Sequence, residues 1–185
     1  MARWLLTGGA GYIGSHVLRE LAASGREVVV VDDLSTGIAS RVPDGVPLVE
    51  MNLSDSNLVT VMRDYQISGV VHLAAKKAVE RPLHYYRENV DGIASLLEAI
   101  NEVGIGNLVY SSSAAVYGEP VNGEVGEDEP TVPTSPYGET KLVGEWAARA
   151  VAKARRLEGG GLSNVSLRYF NVAGAGADNL GDTSV

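Results

Sequence analysis

Cysteine is absent from the 185 residues, so neither a disulfide frame nor thiolate chemistry is available, and the cytoplasm is the expected compartment. No apolar run approaches the roughly 20 residues of a membrane span. The first residues lead straight into a strand pattern, so neither an anchor nor a signal peptide is expected. Histidine is scarce: His16, His72 and His84 stand far apart without ligand partners nearby, which argues against a metal site. His72 closes an apolar run and reads as a core or cofactor-lining residue. Positive charge is also short, since 15 Lys and Arg against 23 Asp and Glu give a formal charge of −8. That balance disfavours nonspecific nucleic-acid binding. With 45% hydrophobic and 21% charged residues, the length suits a single domain with one sizeable core.

What is present begins with Thr7-Gly8-Gly9-Ala10-Gly11-Tyr12-Ile13-Gly14, between the apolar Trp4-Leu5-Leu6 and the helix-like run from Ser15 to Leu21. A strand, a glycine turn and a helix start form an arrangement that binds a pyrophosphate. Glycines allow a tight turn and a close approach, and the free N–H groups of the helix end face the anion. After Gly25, the run Glu27-Val28-Val29-Val30-Val31 reads as a buried parallel strand ending in Asp32-Asp33. A carboxylate at that distance suits the ribose of adenosine, and Asp32 argues for NAD because it would repel a 2′-phosphate.

Strand and helix signals then alternate. Strands are expected at 3–7, 27–32, 47–50, 69–73, 107–112 and 165–169. Helices are expected at 12–24, at 55–65 with Ser54 as a cap, at 83–103, and at 136–156 after the cap Ser135. In the third of these, Val90, Ile93, Leu96, Leu97 and Ile100 are expected to point inward. Alternation forces parallel pairing through right-handed crossovers, so the predicted fold is α/β, a doubly wound Rossmann sheet with a cofactor across the carboxyl ends of its strands. The long loop 119–134 lies where substrate would arrive.

Tyr137 and Lys141 stand four residues apart on one helix face. A phenol titrates near ~10, and a nearby cation favours phenolate, so the expected direction for Tyr137 is downward. The fifth strand ends in Ser111-Ser112-Ser113, from which Ser113 can donate a hydrogen bond to the same substrate oxygen.

The glycine turn, Ser111–Gly118 (Ser-Ser-Ser-Ala-Ala-Val-Tyr-Gly), Ser135–Lys141 (Ser-Pro-Tyr-Gly-Glu-Thr-Lys) and Leu167–Asn171 (Leu-Arg-Tyr-Phe-Asn) together resemble the extended short-chain dehydrogenase/reductase family. Within it the likeness is to the branch that epimerises UDP-sugars at C4, and it runs through essentially the whole chain. The resemblance implies that Gly8, Gly11, Tyr12, Ile13 and Gly14 hold the pyrophosphate of NAD and that Asp32 holds the adenosine ribose. Asn52 and Leu53 flank the adenine, with the Asn52 amide accepting from its amino group where the family usually has Asp. Leu73, Lys77 and Asn89 line or support the nicotinamide half, and Phe170 closes it. Tyr137 is the implied base, tuned by Lys141, which also binds the nicotinamide ribose. Ser113 orients the sugar hydroxyl, and Asn171 touches the phosphates of the nucleotide sugar. The implied reaction oxidises C4 to a ketone and returns the hydride to the other face, interconverting UDP-galactose and UDP-glucose.

Two rivals stay open. A nucleotide-sugar dehydratase needs an acid and a base where this chain has Ala114 and Ala115. A noncatalytic NAD-binding module fits a chain resembling an amino-terminal portion, in which 172–185 begins a substrate-binding region. The family also commonly carries about four more residues between Val79 and Glu80. Little or no epimerase activity is therefore expected of the chain as it stands. A homodimer through the helices 83–103 and 136–156 is also implied.

Overall fold

Alternate residues of the Val- and Leu-rich segments point to opposite faces of a sheet, and both faces of its inner strands are buried. The computed structural model describes residues 3–76, 82–120, 123–176 and 180–181. Six strands, β1 (Arg3–Thr7), β2 (Glu27–Asp32), β3 (Leu48–Glu50), β4 (Ile67–His72), β5 (Asn107–Ser111) and β6 (Ser163–Leu167), form one sheet. Its order is β3-β2-β1-β4-β5-β6, and every pairing is parallel. The chain winds outward from β1 to β3, then restarts at β4 on the other side of β1. A cleft opens where the winding reverses.

On one face Leu5, Val29 and Val70 pack against Met62 of α2 (Leu58–Asp64) and against Leu96 and Ile100 of α4 (Gly92–Val103), with α5 (Pro136–Leu157) beside them. On the other face Leu6, Val30 and Val71 meet Leu18 of α1 (Tyr12–Ala23). The short α3 (Pro82–Tyr85) runs through a π-helical turn, Tyr86–Asp91, into α4. Gly104, at φ +83°, ends α4 in the left-handed conformation that glycine adopts without penalty. The Ser135 hydroxyl accepts from Gly138 N–H, so it caps α5 as expected.

Three expectations need correction. Ser54 does not cap α2, which begins at Leu58; Ser54 instead donates its N–H and hydroxyl to Asn52 Oδ1, closing a local turn. In the third predicted helix the π turn shifts the phase, so that Asn89 is buried and Val90 is only half-buried. Strand β6 starts at Ser163, opposite Asn107, and ends at Leu167, opposite Ser111. Tyr169 therefore lies beyond the sheet, at the cleft.

Helix α5 sits close to β5 because Gly144 has no side chain there: a Cβ would come within 2.1 Å of Tyr110 Oη. Gly144→Ala is expected to lower stability in urea denaturation by about 1–3 kcal/mol. Tyr110→Phe in the same chain should recover part of that loss. Additive effects of the two substitutions would refute the steric account.

Candidate cofactor and catalytic site

The turn after β1 is built by close approach. Gly8 has φ +71°, and a Cβ there would meet Ala74 N at 2.7 Å. A Cβ on Gly14 would meet Gly8 O at 2.0 Å, so α1 can leave the turn only as glycine. Gly11 starts α1 with no side chain capping it and no acid in its first turn, leaving a helix end suited to an anion. Tyr12, Ile13 and Gly14 line the cleft here, and the Tyr12 hydroxyl donates to Gly174 O.

At the end of β2, Asp32 is 8% exposed and accepts N–H bonds from Ala10 (3.0 Å) and Leu34 (2.9 Å). Burial pushes its carboxyl up against those bonds. Burial also raises Asp33, but bonds from Ser35 and Lys76 outweigh it and hold that carboxyl low. Beyond β3, Asn52 and Leu53 line the cleft. Asn52 Oδ1 accepts the N–H and the hydroxyl of Ser54, at 3.0 and 2.8 Å.

Asn89, brought inward by the π turn, accepts Lys76 N–H at 2.9 Å and donates Nδ2 to Lys76 O and to Thr140 Oγ1. It holds the loop after β4, in which Leu73 and Lys76 line the cleft. Lys77 lies outside the described residues. His72 is buried, stacks on Tyr110, and shares a 2.7 Å hydrogen bond with Thr7 Oγ1. Burial, with Lys141 nearby, lowers its pKa to about 3, so it stays neutral.

At the other end of the cleft, Lys141 is 2% exposed and donates Nζ to Ser111 O at 2.7 Å, with its ammonium 5.7 Å from the centre of the Tyr137 ring. The nearby Ser113 hydroxyl favours phenolate at Tyr137, yet burial and the neighbouring Tyr169 and Tyr85 raise Tyr137 to about 12. The expected downward shift is reversed because a dry, phenol-rich setting outweighs the help given to the charged form. Phe170 is 69% exposed and Asn171 is also exposed, and neither lines the cleft.

Behind these groups lies a second layer that sequence reasoning missed. Glu145, 3% exposed on α5, accepts from the Ser112 hydroxyl and from both Nε and Nη2 of Arg168, which also donates to Tyr117 Oη. Glu145 does lie eight residues after Tyr137, on nearly the same helix face, which was the available hint. Burial raises its carboxyl, but Arg168 and Ser112 outweigh that and hold it below the ordinary 4.5. Glu145→Gln should lower stability by about 2–3 kcal/mol at neutral pH. A lowered folded pKa stabilises above the unfolded value and is lost as pH falls through the folded one. The stabilities of wild type and variant should therefore converge below pH 4.5, and a gap independent of pH would refute this role for the carboxylate.

The cleft holds about 530 Å³ and reaches from Asp32 past the glycine turn to Tyr137, Lys141 and Tyr169. An uncapped helix start over close-packed glycines, with a carboxylate on one side and a phenol on the other, fits a dinucleotide. Fold and site define a dinucleotide-binding domain of the short-chain dehydrogenase/reductase type.

Comparison with known proteins narrows this: the chain belongs to the NAD dependent epimerase/dehydratase family, which matches residues 4–185. The UDP-glucose 4-epimerase of Azospirillum brasilense is 47% identical over 178 residues, covering 94% of this chain and 50% of that protein. The UDP-glucose 4-epimerase of Lactobacillus helveticus is 43% identical over 183 residues, covering 94% and 53%. Among solved structures, the Thermus thermophilus UDP-glucose 4-epimerase in complex with NAD superposes with a TM-score of 0.88 at 38% identity, covering 97% of this chain and 58% of that one. The Stenotrophomonas maltophila UDP-glucose-4-epimerase with bound NAD and formylated UDP-arabinopyranose gives 0.91 at 37% identity, covering 100% and 58%. The chain spans about half the length of the curated relatives it matches. Among the described residues no helix is long and apolar enough to cross a membrane.

Proposed function

We propose that this chain is the NAD-binding and proton-transfer part of a cytoplasmic C4 epimerase of UDP-sugars, with UDP-galactose and UDP-glucose as the substrate pair. The observation that carries the reading is the meeting of Tyr137 and Lys141, with Ser113 beside the phenol, at one end of a cleft whose other end holds Asp32 and the glycine turn. Gly8, Gly11, Tyr12, Ile13 and Gly14 would hold the pyrophosphate, Asp32 the adenosine ribose, and Leu73, Asn89 and Lys141 the nicotinamide side.

Bound NAD⁺ would supply the hydride acceptor and, once reduced, the donor, and its positive charge would favour phenolate. Tyr137 takes the proton of the C4 hydroxyl at its own oxygen and gives it back when the hydroxyl re-forms. Ser113, beside the phenol, turns its hydroxyl to the sugar, donates to the substrate oxygen and orients it. Lys141 keeps its ammonium beside the ring from its anchor on Ser111 O. Ala114 and Ala115 cannot transfer protons, which disfavours dehydration. The Trp146 side chain of α5, 52% exposed, suits pairing of two copies through the long helices.

A second reading, NAD binding without turnover, is favoured for the chain by itself. Phe170 and Asn171 stand outside the cleft. The segment 172–185 would be only the beginning of a substrate-binding region, and the loop carrying Lys77 is shorter than is usual in the family.

Chain purified without added cofactor and then denatured should release close to one NAD per chain, while converting UDP-galactose slowly or not at all. A chain that releases no NAD would sink the reading, and steady conversion would sink its second part. Ser113→Ala removes the hydroxyl that favours phenolate, so an ultraviolet titration of the cofactor-free chain should find Tyr137 higher still. An unchanged titration would show that Ser113 does not act on the phenol.

A further inference from the structure

The ammonium of Lys76 reaches from the loop after β4 to the loop after β2, where it donates to Asp33 Oδ2 at 3.0 Å and to Ser35 Oγ. Strand β1 lies between β2 and β4, so this bond spans the glycine turn that follows β1. A dinucleotide with its ribose on Asp32 and its reactive ring beside Tyr137 has to cross the same turn. The ion pair and the cofactor therefore share one passage.

Both ends of the bond are held. On the receiving side Leu34 adopts φ +52°, strained for a residue with a side chain, and its N–H is taken by Asp32. That bend brings the N–H and hydroxyl of Ser35 onto Asp33 Oδ1, which leaves Oδ2 for Lys76. On the giving side both backbone polar groups of Lys76 bond to Asn89, which also bonds to Thr140 on the helix of Tyr137 and Lys141. The polar chain thus runs unbroken from the catalytic helix to the adenosine loop.

We propose that Lys76, through Asp33 and Ser35, is a clasp across the cofactor passage, and that its opening limits NAD exchange. This rests on the reading that the cleft binds NAD. The clasp makes Lys76 and Asp33 positioning residues: they retain and align the cofactor without touching the reacting atoms. Their side chains are 24% and 30% exposed, so the pair is accessible to salt and contributes little to global stability.

The test is the rate at which bound NADH leaves the chain, followed by its nicotinamide fluorescence after dilution into excess NAD⁺, with thermal melting as a control. Lys76→Met and Asp33→Asn should each speed release by about three- to tenfold, in proportion to the loss of a part-exposed ion pair, with melting almost unchanged. Added salt should speed release from wild type and have little effect on the variants. The exchanged pair Lys76→Asp with Asp33→Lys should restore slow release. Release unchanged in Asp33→Asn but faster in Lys76→Met would show that the ammonium only attracts the pyrophosphate, which overturns the clasp. Wild-type release that ignores salt, or equal rates in all four proteins, overturns it as well. A wild-type chain that binds no NAD overturns the cofactor reading and the clasp together, and so differs from every failure of the clasp alone.

Discussion

The buried ammonium of Lys141 is the contact on which the Tyr137 end of the cleft depends. At 2% exposure a cation is stable only against a strong acceptor, and Ser111 O, the last carbonyl of β5, lies 2.7 Å away. The bond fixes the position of α5 along the sheet and, one turn earlier, the place of Tyr137. The neighbouring strand residues tighten the same register. Tyr110 Oη donates to the Lys141 carbonyl, and Ser112 donates to Glu145. Three consecutive residues at and just past the end of β5 thus each bond to one helix, and a slip of α5 would break all three.

The same closeness sets the electrostatics. Water excluded from between β5 and α5 makes phenolate costly, and the Tyr169 and Tyr85 phenols add to that cost, so Tyr137 is protonated in the chain without cofactor. The opposite outcome at Glu145 follows from the same burial. There Arg168 supplies a full charge through two N–H groups, and the carboxylate stays ionised. Burial alone decides neither group; the charge and geometry of the partner do.

Much of the fold was legible because it rests on local signals. The strands alternate with helices, the glycine turn lies between an apolar run and a helix, and Tyr137 and Lys141 stand one turn apart. The π turn was not legible, since one added residue leaves the apolar spacing nearly intact while exchanging Val90 for Asn89 at the buried position. Nor could spacing reveal contacts between distant residues. Glu145 finds Arg168 across 23 residues and Lys76 finds Asp33 across 43, through the winding of the sheet. The direction of the Tyr137 shift failed for a related reason: a sequence shows the lysine four residues away but not the walls that keep water out.

Asn52 and the carboxylates at the end of β2 show how residues on the cleft are committed to their own turns. An aspartate at position 52 would have two oxygens, one for the turn with Ser54 and one for an exocyclic amine. Asn52 has a single oxygen, and Ser54 takes both of its lone pairs. What remains is the Nδ2 donor, which suits an acceptor rather than an amine. The carboxylates at the end of β2 are committed in the same way: Asp32 takes the N–H groups of Ala10 and Leu34, while Asp33 takes Ser35 on one oxygen and Lys76 on the other. The lip of the cleft is thus shaped by its own hydrogen bonds.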